Sequence, residues 1–273
     1  MAAVHHFAYG PINPIIAYVM SFMGSLLGLV LTARARESEP GRRARWLALA
    51  AVAIGGTAIW LMHFMAMLGF DVPGTTIRYD VPITFGSLAA AVVIVGIGLL
   101  IVGLGNPSVA KVLLGGAFTG LGVAAMHYSG MAAMHLGGRV RYDVRTVALS
   151  VAIAIVAATV ALWFALIVHG AAATVGAALI MAFAVCTMHY TAMAAMRVQL
   201  DADVTRIPGV NPFVLLMPIS VLACIVISGL AYSALGFSMH RENEREEAML
   251  AEARNLHHSA AMVAPGLVAA RHR

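Results

Sequence analysis

Three histidines, His63, His127 and His189, recur in the same short sequence context, 64 and 62 residues apart. Each follows a methionine directly and has a second methionine four residues later. Residues i and i+4 share one face of a helix, so each copy of the motif offers an imidazole and a thioether on the same face. The six methionines are Met62, Met67, Met126, Met131, Met188 and Met193.

This set of side chains predicts a site for a soft transition metal. Thioethers favour Cu(I), and imidazoles suit copper, zinc and iron. Mg²⁺ and Ca²⁺ require oxygen ligands, and there is no carboxylate near these histidines and methionines. A structural zinc site would need a closed shell of four ligands, for which the chain has no cysteine cluster. Copper is the best chemical match, and a haem with His or Met as axial ligand is the alternative.

A purely structural role is the competing interpretation, because methionine commonly fills gaps in apolar cores. An ionisable residue inside a membrane span is costly, however, and usually faces the bundle interior at a functional site. The coincidence of residue type, depth and flanking sequence in three helices therefore favours a site over packing alone.

The elements that carry these motifs are predicted to be membrane-spanning helices. The 273 residues are 61% hydrophobic and 11% charged, whereas water-soluble domains are about 45–50% apolar and about 25% charged. The charged residues cluster, so the net charge of +5 does not indicate a nucleic-acid-binding protein. Seven stretches are long and apolar enough to span a bilayer: Pro14 to Thr32, Trp46 to Phe70, Ile83 to Leu104, Lys111 to Leu136, Val147 to Val168, Ala171 to Met196, and Phe213 to Met239.

The spacing of the histidines corresponds to two spans with their loops, which predicts a helical hairpin used three times. The loops support the repeat: Arg78-Tyr79-Asp80-Val81 recurs as Arg141-Tyr142-Asp143-Val144, and a serine, Ser87 or Ser150, follows seven residues after each Asp. The predicted fold is an all-α membrane protein with seven transmembrane helices, arranged as three tandem two-helix repeats plus one extra helix.

The positive residues predict how the chain is oriented. If the N-terminus is outside, eleven of the seventeen Lys and Arg residues fall on the cytoplasmic side of the membrane. Positive residues are found preferentially on that side. We therefore predict an N-out, C-in arrangement. It comprises an outer segment at residues 1–13, a seven-helix membrane domain at 14–239 and a cytoplasmic tail at 240–273.

The motifs resemble the MHYT-domain integral membrane proteins of bacteria, a family named after the tetrapeptide that stands here as Met188-His189-Tyr190-Thr191. The resemblance covers about residues 14–240. It implies a multi-pass sensor in the bacterial cell membrane, with copper bound by the three histidines and the six methionines near the outer face. It also implies oxygen, carbon monoxide or nitric oxide as the signal, and an unidentified cytoplasmic signalling partner.

The chain departs from the family pattern in two places. The first copy has Phe64 and Met65 where the family has Tyr and Thr, and the second has Ser129 in place of Thr, which puts the hydrogen bonding around the first histidine in question. Family members often carry enzymes of cyclic-di-GMP metabolism, or a kinase, after the membrane part. The segment 240–273 is too short for such a domain, so we expect a stand-alone form that is not itself an enzyme.

The charged residues of the spans and loops bear on two other functions, metal transport and retinal binding. A membrane transporter or chaperone for Cu(I) needs only Met and His, although the span-embedded carboxylates typical of other ion pathways are missing, since Asp71, Asp80 and Asp143 are predicted in loops. A retinal-binding receptor is excluded because the only lysine, Lys111, lies at a membrane boundary. The expected partners are the lipid bilayer, a diatomic gas and a cytoplasmic protein, with no nucleic acid.

Overall fold

The computed structural model describes residues 3–201, 206–221, 223–229, 231–232 and 249, and it contains seven helices long and apolar enough to cross a membrane. This confirms the predicted number of spans, with ends that shift by a few residues. The predicted end of the seventh span at Met239 and nearly all of the predicted tail lie outside the described residues. The helices are α1 (Ile12–Glu37), α2 (Pro40–Met67), α3 (Val81–Gly103), α4 (Val109–Ala132), α5 (Val144–Ile167), α6 (Ala171–Ala194) and α7 (Pro212–Gly229).

The first six helices form a closed ring. Each helix packs against the next one in the chain, and α6 packs against α1. The outer wall is apolar: on α5, for example, Leu149, Val156 and Trp163 are 55%, 63% and 49% exposed. Large apolar side chains that face outward along a whole helix are the signature of contact with lipid. The chain is a multi-pass membrane protein.

Small residues let the helices approach closely, as membrane packing requires. The α4 helix approaches α5 closely at Gly120, where an added Cβ atom would lie 2.4 Å from the Cα atom of Ile155 and 2.7 Å from the carbonyl oxygen of Ala154. Those atoms belong to the backbone of α5 and cannot move aside locally. A side chain at residue 120 would therefore push the two helices apart.

Two small antiparallel sheets cover one end of the bundle, which we call the strand end. Strand β1 (Arg78–Tyr79) pairs with β2 (Met134–His135), and β3 (Gly138–Tyr142) pairs with β4 (Met196–Leu200). The sequence predicted only turns here. The strands join the residues that precede α3 and α5 to the residues that follow α4 and α6.

The strand end repeats one backbone hydrogen bond three times. The N–H of Asp80 donates to the carbonyl of Ala133 at 2.8 Å, and that of Asp143 donates to Ala195 at 2.9 Å. Before α1, the N–H of Ala8 donates to the carbonyl of Gly69 at 2.9 Å. The three acceptors each lie six residues after a motif histidine, so α1 with α2 is the first hairpin of the repeat, and α7 is the extra helix, as predicted.

Prediction for the α4–α5 contact: Gly120→Ala should lower the free energy of unfolding by about 1–3 kcal/mol, because an added methyl group overpacks a contact made by backbone atoms. Chemical denaturation in detergent micelles, followed by circular dichroism, measures the change. Gly176→Ala on α6 is the control, since nothing lies within 4 Å of a Cβ atom there. Equal stability of the two variants would contradict the packing argument.

Candidate metal centre

The three motif histidines meet inside the helix ring. The ring centroids of His63 and His127 are 4.7 Å apart, and each lies 5.1 Å from the centroid of His189. All three side chains are 1% exposed. They stand four or five residues before the last residue of α2, α4 and α6, about 6–8 Å along the helix axis. This is shallower than the predicted span ends at Phe70, Leu136 and Met196 imply, because the helices end earlier and give way to the strand end.

The imidazole nitrogens are close enough to share one ion. His63 Nδ1 lies 3.1 Å from His189 Nδ1, and one ligand nitrogen from each of the three rings lies within 4.8 Å of the other two. Two nitrogens bound to one ion at about 2.0–2.1 Å with tetrahedral angles are about 3.3–3.4 Å apart. The His63–His189 pair, at 3.1 Å, is close to this separation, and a nitrogen of His127 lies within 4.8 Å of both.

Three other nitrogens of this group lack hydrogen-bond partners among the described residues. His63 Nε2 and both nitrogens of His127 are buried, with no partner among the described residues. Buried polar atoms are nearly always paired, and an unpaired one calls for an explanation such as a missing ion. The donor set therefore fits a metal ion, and these three are the only described His, Cys, Asp or Glu side chains that come together in this way.

The six motif methionines are all buried, at 4% exposure or less. Met62 packs in a small apolar cluster with Cys186, Ala17 and Ala66, and Met188 lines an apolar cavity. The structure thus brings the three histidines together. Met62 and Met188 lie among apolar residues instead. Cys186 belongs to the same surroundings and is not part of the histidine group.

An aromatic collar surrounds the histidines. The residue after each motif histidine places its ring edge-on against that histidine, with centroids 4.8 to 5.1 Å apart. An aromatic residue from the strand end packs in turn on each of these rings, at 5.5 to 5.6 Å. The three pairs are Phe64 with Tyr79, Tyr128 with Tyr142, and Tyr190 with Phe7. Burial raises the pKa of the Tyr142 phenol to about 12, so this hydroxyl is neutral at physiological pH.

Ser87 and Ser150, which lie seven residues after Asp80 and Asp143, form hydrogen bonds to aromatic residues in two different ways. The Tyr128 hydroxyl and Ser150 Oγ share a hydrogen bond of 2.8 Å. In the first copy, where Phe64 has no hydroxyl, Trp60 Nε1 donates to Ser87 Oγ at 2.9 Å instead. Sequence reasoning missed Trp60, which lies one helical turn before Phe64. The loss of the tyrosine hydroxyl is thus compensated from the same helix.

One glycine in the second motif makes room for the first histidine. A Cβ atom at Gly130 would lie 2.6 Å from His63 Nε2. The corresponding residues in the other copies are Ala66 and Ala192. The only sequence signal for this contact is that difference, and it was not recognised. Gly130 sets how closely the His63 ring approaches α4.

A cavity of about 50 Å³ lies about one helical turn from the histidines, on the side away from the strand end, and none of the three histidines lines it. It is lined by residues one turn before His63 and His127, namely Ile59 and Val123, and by Met188. The wall is almost entirely apolar. Its two hydroxyls, on Ser25 and Thr119, have no hydrogen-bond partner among the described residues.

Comparison with known proteins identifies the family of this arrangement. Residues 56–116, 120–178 and 183–251 each match the MHYT family model, described as a bacterial signalling protein N-terminal repeat. The chain belongs to the MHYT family. The seven-helix domain with its buried histidine triad is therefore a membrane sensor domain of a signalling family, which confirms the resemblance found in the sequence. No solved structure matches this MHYT chain.

The curated relatives of this MHYT chain include two proteins of Pseudomonas aeruginosa. They are the bifunctional diguanylate cyclase/cyclic di-GMP phosphodiesterase MucR and the cyclic di-GMP phosphodiesterase NbdA, each 34% identical over 200 residues. The matched part is 71% of this chain but 29% of MucR and 25% of NbdA. An uncharacterized signaling protein of Caulobacter vibrioides is 30% identical over 195 residues, 70% of this chain and 23% of the relative. The match thus covers less than a third of each relative.

Prediction for the collar: Tyr128→Phe should lower the free energy of unfolding by about 0.5–1.5 kcal/mol, the usual net value of one hydrogen bond. Phe64→Tyr should cost more, about 1–3 kcal/mol, because its ring is fully buried and Ser87 is already bonded to Trp60. Thermal unfolding in detergent compares the two variants. A Phe64→Tyr protein as stable as the wild type would show that a further acceptor is within reach.

Proposed function

We propose that this protein senses a signal through a copper ion held by His63, His127 and His189. The observation that supports this is the convergence of three buried imidazoles from three helices, with ligand nitrogens within 4.8 Å of one another and three nitrogens unpaired. Neutral imidazole nitrogen is a good ligand for copper, and a metal ion is a partner that all three rings could share.

We propose copper because of the sulfur around the triad. The six motif methionines, Met62, Met67, Met126, Met131, Met188 and Met193, lie one residue before or four residues after a motif histidine and are all buried. Thioether sulfur is a soft ligand that favours Cu(I). In this proposal the histidines are the primary ligands, and the methionines supply additional or exchangeable sulfur contacts as the oxidation state changes.

We further propose that the signal is a diatomic gas such as oxygen, carbon monoxide or nitric oxide. The apolar cavity beside the triad supports this, because a space of about 50 Å³ suits a small apolar molecule better than a polar metabolite. The signal would then pass through the helices to a cytoplasmic partner. The chain itself is proposed to sense and not to catalyse.

The proposed topology is N-out and C-in, with residues 1–13 outside, the membrane domain at 14–239 and residues 240–273 in the cytoplasm. Basic residues support it: Arg36 and Arg43 lie at the end of the bundle opposite the strand end, where positive residues favour the cytoplasmic side. The triad would then lie near the outer face of the membrane.

Prediction for the metal: the full chain purified in detergent should carry one copper ion, and His127→Ala should bind copper at least about tenfold more weakly, the effect expected on losing a ligand or its support. Elemental analysis and absorption spectroscopy measure the loss, and X-ray absorption distinguishes sulfur from nitrogen ligands. Spectral changes on adding each gas to the copper-loaded protein identify the signal.

The matched control is His169→Ala, since His169 is exposed between α5 and α6, far along the chain from any motif. It should retain full copper. An equal copper content in His127→Ala and the wild type would contradict the assignment of the site. A protein without copper that shows an intense Soret band in its absorption spectrum would favour haem.

Prediction for the geometry: Gly130→Ala should weaken copper binding by about 10–100-fold, comparable to the loss of a supporting contact, because the added methyl group displaces His63. Competition with a copper chelator measures the affinity. Gly86→Ala, on the open face of α3, is the control and should bind as the wild type does. Unchanged affinity in Gly130→Ala would mean that His63 Nε2 can move without affecting the ion.

A further inference from the structure

The segment before α1 lies across the strand end as a first copy of the strand pattern. The N–H of His5 donates to the carbonyl of Asp71 at 2.9 Å, and the N–H of Asp71 donates back to His5 at 2.8 Å. Three residues later, Ala8 bonds to Gly69. In the later copies, Arg78 pairs with His135 and Arg141 with Arg197, just before the equivalent bonds of Asp80 and Asp143.

The first copy contains one extra residue. Asp80 follows the paired Arg78 by two residues, and Asp143 follows Arg141 by two, whereas Ala8 follows the paired His5 by three. An extra residue on one side of an antiparallel pair is a bulge, and bulges redirect side chains. His6 and Phe7 are the two residues inside this bulge.

The bulge directs both rings toward the ends of the motif helices. Phe7 packs on Tyr190, with centroids 5.5 Å apart, and His6 packs on Phe70 at 5.7 Å. Tyr190 in turn packs edge-on against His189, with centroids 4.9 Å apart, so the bulge is one aromatic ring away from the triad. The Nδ1 atom of His6 is buried and has no hydrogen-bond partner among the described residues.

His6 is intermediate in burial between the surface and the triad. Its side chain is half-buried, whereas the three motif histidines are almost completely buried. A cation that acts on His6 is Arg197, whose guanidinium donates to the carbonyls of Ala194 and Met196 at 3.1 Å. Those bonds hold the positive charge of Arg197 against carbonyls at the end of α6. The Nδ1 atom of His6 therefore stays available to bind a ligand.

We propose that His6 is a further metal-binding residue, through which a soft transition-metal ion reaches and leaves the buried triad of His63, His127 and His189. This inference rests on the proposed function, because it requires the triad to bind a metal. A buried metal site needs an entry path, and an unpaired nitrogen on the strand-end side of the triad supplies a ligand on such a path.

The transfer is a ligand exchange without oxidation or reduction. The ion loses a water molecule as the His6 nitrogen binds, and the bond to His6 breaks as triad nitrogens replace it. Neutral imidazoles release no proton in either step. The ion arrives as Cu(I) and is held as Cu(I), so no electron donor or acceptor is needed.

The test measures how fast Cu(I) enters and leaves the full chain in detergent. His6→Ala and His6→Phe should both slow loading of the metal-free protein, and extraction by a Cu(I) chelator, by at least about tenfold, with one ion per chain still bound at equilibrium. His6→Phe is the decisive variant because it keeps a ring against Phe70 but removes the nitrogen. His5→Ala is the matched control and should behave as the wild type, since His5 is held through its backbone.

Wild-type rates in His6→Phe would overturn the inference, because the role of His6 would then be packing. That result would leave the proposed function standing as long as the wild type binds copper and His127→Ala does not. A wild-type chain that binds no copper would overturn both. Slow exchange in both His6 variants, together with normal stoichiometry, supports the inference alone.

Discussion

The burial of three imidazoles in one apolar layer is the constraint on which the rest of this structure depends. A polar group buried without a partner costs about 1–3 kcal/mol, and the lipid around the ring offers none. The contact between His63 Nδ1 and His189 Nδ1 satisfies one pair of nitrogens, while His63 Nε2 and both nitrogens of His127 remain unpaired. An ion shared by the rings would pair one nitrogen of each ring and so lower this cost, which is why the arrangement favours a metal site over a packed core.

Internal repetition explains how such a layer arises. Three similar hairpins closed into a ring must place equivalent residues at one depth, so one histidine per hairpin becomes three that meet. The copies have nonetheless diverged around the site. Trp60 replaces a tyrosine hydroxyl in the first copy, and Gly130 opens space in the second. In the third, the Tyr190 hydroxyl is buried without a partner among the described residues. The three histidines are therefore chemically distinct positions.

Much of this fold could be predicted because its signals are local in sequence. Runs of apolar residues predicted the seven spans, and the repeated motif predicted a common layer for His63, His127 and His189. The strand end could not be predicted, because Arg78 and Tyr79 form a strand only by pairing with residues far along the chain. For the same reason the link between Trp60 and Ser87 and the contact between Gly130 and His63 were missed. Both depend on how neighbouring helices are rotated, which helical periodicity within one span does not determine.

The first motif helix shows this rotation most clearly. In α2, the segment Val52–Leu61 is π-helical and ends directly before Met62 and His63. A π-helix has wider turns than an α-helix and occurs mainly at functional sites. It changes the direction that His63 faces relative to the residues one and two turns earlier, so α-helical spacing along α2 cannot predict the orientation of this ring. The α4 and α6 helices reach His127 and His189 through uninterrupted α-helix. The three similar motifs thus converge on one point although one of the three helices is wound differently from the other two.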